Sequence, residues 1–203
     1  MRSVLTNLTL ALALGASSTA LAAERLPLGS AAPEAGVMME TTAGTKVSIA
    51  SVKGAKGTLV VFTCNHCPWA KAWEQRVAAA GNAALGQGFG VVAINPNDPA
   101  KVPEDALEPM KERAQALGLK FPYAVDATSG IAKAFGATKT PEVFLFDAAG
   151  KLVYTGAVDD NAEKPAEVKQ KFLEQALASV AAGKPVASPE TKAIGCSIKW
   201  RGK

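Results

Sequence analysis

Histidine occurs once in these 203 residues, cysteine three times, and aromatic side chains make up only 6% of the chain. Each scarcity narrows the chemistry. A small disulfide-stapled fold is excluded, because three cysteines are few and the chain is long enough to bury a core of its own. A closed zinc site of three cysteines and one histidine would need Cys64, His66, Cys67 and Cys196 together. Three of those fall within four consecutive residues, whereas such sites draw their ligands from well-separated pairs. Charge of one sign is also missing: the formal net charge is +4, and basic residues are interleaved with acids. No basic run with interleaved aromatics appears, which argues against a nucleic-acid partner. Acidic small ligands stay open on charge alone.

Long apolar runs are confined to the N-terminus. Met1-Arg2 supplies a positive charge, Leu8 to Ala16 a short apolar core, and Ala20-Leu21-Ala22 a small-residue end. This is the three-part pattern of a secretory signal, with cleavage expected after Ala22. Thr6, Asn7, Ser17, Ser18 and Thr19 interrupt the roughly 20 apolar residues that a permanent anchor needs. No cysteine precedes Cys64, so a lipidated N-terminal cysteine is ruled out. The expected organisation is a signal over 1–22 and one domain over 23–203, with a tail from about 184. The mature chain is expected in the periplasm or secreted, with no membrane contact after cleavage.

The order of elements points to an α/β fold. Val37–Thr41 and Lys46–Ile49 flank a glycine-containing turn and predict a hairpin. Thr58–Thr63 predicts a buried central strand, and Pro68–Ala84 a helix with Trp69, Trp73, Val77 and Ala80 on one face. A strand over Phe89–Ile94 stops at Asn95-Pro96-Asn97-Asp98-Pro99. A helix over Glu104–Leu117 follows, broken or kinked by Pro109. Phe121–Val125, Glu142–Phe146 and Lys151–Thr155 predict strands, with a short helix at Ile131–Phe135 and a last one at Ala166–Ala182. Strands alternating with helices, then a hairpin and a helix, predict a mixed sheet with helices on both faces.

The chemistry concentrates at Cys64-Asn65-His66-Cys67, between a strand and a helix. A Cys-x-x-Cys pair in that context reads as a redox dithiol; a metal site and an inert staple are the other readings. If Cys64 caps the helix, free amides and the helix dipole favour its thiolate, the nucleophile of thiol–disulfide exchange. His66, inside the loop, would favour that thiolate further and make the pair more oxidising. Cys64 is then the attacking sulfur and Cys67 the resolving one, with protein disulfides or small thiols as partners. Two thiols suffice, so no cofactor is called for. A soft metal such as copper(I) held by the three thiols and His66 is the binding alternative. An odd third cysteine in an oxidising compartment is either a reactive thiol or a buried residue, and Cys196 reads as packed in the tail with Ile198 and Trp200. Asp159-Asp160-Asn161 reads as a turn or the cap of the last helix, with a cation site as the other reading.

Four blocks together carry a resemblance: Phe62-Thr63-Cys64-Asn65-His66-Cys67-Pro68, Thr140 to Asp147, Gly156 to Asn161, and Gly195-Cys196-Ser197-Ile198-Lys199-Trp200. They resemble the peroxiredoxin-like thioredoxin family proteins of the redoxin group, over roughly Leu28 to Trp200. The resemblance implies a thioredoxin-like fold, with Thr140-Pro141 as the cis peptide beside Cys64 and Pro141 docking a substrate backbone. It also implies that Cys67 sits where peroxiredoxins hold their peroxide-attacking cysteine, which gives a peroxide reductase as the alternative activity. Peroxiredoxins carry Thr three residues and Pro seven residues before that cysteine; here Cys64 and Val60 stand there. Thioredoxins carry a buried acid six residues before the first cysteine, where this chain has Thr58. Glu142 and Lys71 are the candidate substitutes, each otherwise a solvated charge.

Overall fold

The computed structural model describes residues 25–202. The expected signal over 1–22 and its cleavage position lie outside them. In chain order the strands and helices are β1 (Met39–Thr41), β2 (Lys46–Val47), β3 (Gly57–Phe62), α1 (Pro68–Gly86), β4 (Phe89–Asn95), α2 (Leu107–Ala116), β5 (Tyr123–Val125), α3 (Gly130–Ala134), β6 (Lys139–Thr140), β7 (Glu142–Asp147), β8 (Leu152–Gly156), α4 (Phe172–Ala181) and β9 (Cys196–Ser197). Seven strands form one mixed sheet in the order β2-β1-β5-β4-β3-β7-β8, and β6 pairs with β9 separately.

The β-branched, apolar run after Gly57 becomes the middle strand because it can be buried on both faces. Leu59 and Val61 point to one face and join Trp73, Val77, Leu173 and Leu177 from α1 and α4. Val60 and Phe62 point to the other and join Ile131, Phe135, Phe144 and Phe146. Phe135 meets Phe62, Phe144 and Phe146 edge to face at 5.1–6.0 Å. Each such ring removed from water contributes ~1.5–3 kcal/mol, so alternate residues of one strand anchor both layers.

Topology decides where the site lies. β3, β4 and β5 are parallel neighbours, so their C-terminal ends share one edge of the sheet. β7 runs antiparallel to β3 and pairs Glu142 with Phe62, so its start lies at that same edge. The motif after β3, the loop after β4 and the Thr140-Pro141 segment before β7 therefore meet.

Two helices begin later than their sequence pattern predicts. Over Glu104–Leu117 there is instead one 3-10 turn, Pro103–Asp105, and then α2. The break falls at Ala106, with extended backbone, because the side chain of Asp105 is drawn inward to the site. Pro109 breaks nothing; it sits in the first turn, where its missing N–H is not needed. Residues 166–171 of the expected last helix stay non-α, apart from a 3-10 turn at Pro165–Glu167. Asp160 holds them out: its carboxylate accepts the Lys169 amide and its own amide donates to the Gln170 carbonyl. No helix of the described residues is long and apolar enough to cross a membrane.

Candidate active site

β3 delivers the chain to the edge, where the Thr63 amide donates to Ile94 at 2.9 Å, and the motif then turns into α1. The helix cap is Cys67, not Cys64. Pro68 explains the difference: it occupies the first helical position, where its fixed φ suits the helix and its absent N–H costs nothing. The expected dipole effect therefore falls on the second cysteine. Cys64 is 6% exposed and Cys67 0%.

Thr140 lies against both sulfurs. Its hydroxyl oxygen is 3.1 Å from Cys64 Sγ, and its carbonyl oxygen is 3.1 Å from Cys67 Sγ. The Thr140-Pro141 peptide is cis. Cys64, Cys67 and Cys196 are free thiols. The Cys64 thiol donates toward Cys67, the Cys196 thiol lies against it, and the Cys196 amide donates to Cys67 Sγ at 3.3 Å. These donors, Cys64 first, pull the Cys67 thiol down to about 4 against the cost of its burial. The Thr140 carbonyl opposes them, because it can accept a thiol proton but repels a thiolate. With the Cys64 and Cys196 thiols and the amides of Ala70 and Cys196 against one acceptor, Cys67 holds the first negative charge of the pair. Cys64 is pushed up by donating to Cys67, by burial and by the charge of Asp105. The expected nucleophile thus has the less favourable charge environment.

Asp105 is the residue that sequence reading missed. Fully buried, it accepts the Asn65 amide at 2.6 Å and the His66 amide at 3.4 Å on Oδ1. On Oδ2 it meets His66 Nδ1 at 2.7 Å and the Asn97 amide group at 2.8 Å. Asn65 also accepts from the buried Tyr123 hydroxyl at 3.2 Å. The acid that fixes the motif loop therefore comes from the far end of the loop after β4. A signal existed: an Asn- and Asp-rich stretch directly after the C-terminal end of a central parallel strand, where α/β sheets build sites.

The other candidates separate. Glu142 is buried rather than solvated, but braces the approach to Pro141 by accepting the Thr138 and Lys139 amides at 2.9 and 3.2 Å. Burial pushes its carboxyl up. Lys71 is exposed on α1. Asp159 is a buried clamp that accepts from Trp73 Nε1 at 2.7 Å and from the Arg76 guanidinium, while Arg76 also donates to the carbonyls of Asn161 and Ala162. This loop pins the segment after β8 to α1; the cap of α4 is Lys171.

For metal binding, the one group of three potential ligands within 4.8 Å of one another among the described residues is Cys64, His66 and Asp105. The three thiols do not form such a group with His66. Both Asp105 oxygens are already engaged by Asn65, His66 and Asn97.

The tail packs where expected and does more. Ile198 is buried under the second core layer. β9 runs antiparallel to β6, with Cys196 opposite Thr140 and Ser197 opposite Lys139. Gly195 permits this, because a Cβ there would come within 2.3 Å of the Thr140 carbonyl oxygen. The backbone beside Pro141, expected to dock a substrate, is thus already paired by the chain's own tail. Beyond it, Lys199 N–H donates to Asn97 Oδ1 at 2.8 Å and Asp98 N–H to the Lys199 carbonyl at 2.7 Å.

Comparison with known proteins agrees with this architecture. A hypothetical protein from Sinorhizobium meliloti 1021 is 35% identical, with TM-score 0.80 over 89% of this chain and 98% of that one. An uncharacterized conserved protein from Geobacillus kaustophilus is 37% identical, with TM-score 0.81 over 87% and 94%. A secreted Mycobacterium tuberculosis disulfide oxidoreductase homologous to E. coli DsbE shares the fold at 16% identity, with TM-score 0.53 over 72% and 95%. No curated protein matches. The Redoxin family model matches residues 27–172, well over half of the chain, and the protein with its thioredoxin-like fold belongs to the Redoxin family.

Proposed function

We propose that this protein is a thiol–disulfide oxidoreductase in which Cys64 and Cys67 cycle between dithiol and disulfide. The observation that carries the reading is the pair itself: two clustered free thiols at a strand-to-helix edge, Cys67 at the helix cap and Cys64 against the Thr140 hydroxyl. Of the motif pair, Cys64 is the less completely buried, which makes it the sulfur that an outside reactant meets. A partner thiolate attacks Cys64 of the disulfide, the Cys64–Cys67 bond breaks, and Cys67 departs as a thiolate. A second partner thiolate then releases Cys64, and the partner leaves oxidised. A leaving thiol of low pKa speeds the first step, and a stabilised reduced form makes the couple oxidising. In the reverse direction Cys64 forms the mixed disulfide and Cys67 resolves it. Protein disulfides and small thiols are the partners this chemistry suits.

Work outside the cytoplasm is part of the proposal. It is supported by the signal pattern over 1–22 and by the shared fold of a secreted disulfide oxidoreductase. Peroxide reduction at Cys67 is the second reading, favoured by its position at the helix cap and its lowered pKa. Against it, Cys67 is 0% exposed and Cys64 and Val60 replace the peroxidase Thr and Pro. Stopped-flow fluorescence of Trp69, which packs on the thiol cluster, follows both reactions. The reduced protein should react faster with a protein disulfide than with hydrogen peroxide. Faster reaction with peroxide, lost in Cys67→Ser but kept in Cys64→Ser, would make the protein a peroxidase.

A further inference from the structure

The Cys-x-x-Cys pair is buried, and the most exposed thiol of the site belongs to the tail. We propose that Cys196 is a third redox thiol of this site, presented to Cys67 by β9, and that the oxidised protein interconverts two disulfides, Cys64–Cys67 and Cys67–Cys196. The inference rests on the dithiol reading above and extends it to the tail.

Cys64 and Cys67 share one buried cluster with Cys196 packed against it, and the backbone of Cys196 touches Cys67 Sγ, whereas the three thiols do not converge as a mutually close group. Cys67 is therefore the shared partner, and no direct Cys64–Cys196 bond fits the arrangement. The placement is built rather than incidental. β9 is held in register on β6, and the Cys196 amide points at Cys67 Sγ from 3.3 Å. Gly195 lets the tail pass over the Thr140 carbonyl where any side chain would collide. Downstream, the Arg201 amide donates to Ser129 Oγ at 2.9 Å, the Lys199 amide to Asn97 Oδ1 at 2.8 Å, and Ile198 is buried. Anchors on this side fix Cys196 over Cys67 rather than leaving it on a loose end.

The exchange balances without an outside reagent. The Cys196 thiol gives up its proton and its sulfur attacks Cys67 of the Cys64–Cys67 disulfide. The Cys67–Cys196 bond forms, the Cys64–Cys67 bond breaks, and Cys64 leaves and takes up a proton. One disulfide and one thiol exist before and after. The result moves the disulfide from the buried pair to a half-buried sulfur, which an outside thiol meets first. It also accounts for the occupied β6 edge: β9 sits where an extended partner would pair and offers its own cysteine to the site.

The test is disulfide mapping. The purified chain and its variants are equilibrated in glutathione buffers, quenched in acid and mapped by mass spectrometry without reduction. The wild type should contain both linkages, Cys196→Ser only Cys64–Cys67, Cys64→Ser only Cys67–Cys196, and Cys67→Ser neither. Gly195→Ala, which displaces the tail but keeps all three cysteines in the chain, should lower the Cys67–Cys196 share about tenfold, the factor that ~1.4 kcal/mol produces. The proposal is overturned if Cys64→Ser forms no Cys67–Cys196 bond in buffers where Cys196→Ser forms Cys64–Cys67; the dithiol reading then stands alone. It is overturned equally if Cys67→Ser joins Cys64 to Cys196, since Cys67 is then not the shared partner. Failure of Cys196→Ser to form Cys64–Cys67 at any glutathione ratio sinks the dithiol reading instead.

Discussion

One negative charge on the reduced site at neutral pH should set its redox potential, and that charge has a measurable signature. Cys67 falls from an ordinary 9.0 to about 4. Only the reduced protein can carry this charge, so lowering the pKa stabilises the dithiol over the disulfide and makes the couple more oxidising. At pH 7 an unperturbed thiol contributes nothing of the kind. One that ionises below pH 7 favours the reduced state by ~1.4 kcal/mol, or ~30 mV, for each unit by which its pKa lies below the pH. The Thr140 carbonyl beside Cys67 Sγ opposes the charge and trims that gain. Because the group is an acid whose pKa is depressed, its stabilisation is in place above the unfolded value and is lost as pH falls through about 4. Reduction by glutathione must then release one proton. Its equilibrium constant should rise about tenfold for each unit between roughly pH 5 and 8, read by Trp69 fluorescence. A constant that does not change over that range means that no thiolate is present. The Thr140 carbonyl would then have outweighed the four donors, and the assignment of charge to Cys67 would be wrong.

Other perturbations test the surroundings of the pair. Asp105→Ala leaves the buried Asn65 amide and the His66 ring without their acceptor, and should cost ~2–4 kcal/mol in urea denaturation of the reduced protein; an unchanged midpoint would remove Asp105 as the loop's organiser. His66→Pro takes away the ring 2.7 Å from Asp105 Oδ2 and leaves the charge of that carboxylate less offset beside Cys64, so the couple should become more reducing by ~30 mV, about 1.4 kcal/mol. An unchanged or more positive potential in a glutathione titration takes His66 out of the mechanism. Asp159→Ala should cost ~2–4 kcal/mol by stranding Arg76 and Trp73 while the redox potential stays put, and Ca2+ or Mg2+ should not raise the wild-type melting temperature; a metal-dependent rise would revive the cation reading.

Local pattern made the sheet legible. β3 and β4 follow from apolar, β-branched runs stopped by glycine or by the Asn-Pro stretch, and α1 follows from Trp73, Val77 and Ala80 at helical spacing. Late helix starts were illegible because tertiary bonds decide them: Asp160 captures residues 169–170, and Asp105 turns inward before α2 can begin. At the motif, Pro68 is the first helical residue, which moves the cap from the expected Cys64 to Cys67. That three-residue shift transfers the dipole from one sulfur to the other, which no composition or spacing rule resolves.

What lay furthest from view is what joins distant segments. The bonds that define the site span 40 residues from Asn65 to Asp105, 76 from Cys64 to Thr140 and 129 from Cys67 to Cys196. None has a local periodicity to announce it. Their meeting follows only from the strand directions, parallel for β3 and β4 and antiparallel for β7, which bring two strand ends and one strand start to a single edge. The same geometry explains how the chain can do without an acid at Thr58. That residue pairs with Gly90 and Phe146 at the opposite end of β3, several rungs from the thiols. Asp105, carried on the loop after β4, reaches the motif directly and binds both its backbone and its histidine. An acid placed there pushes the Cys64 thiol up and holds the loop's shape together, so one carboxylate bears on both the charge and the position of the first sulfur.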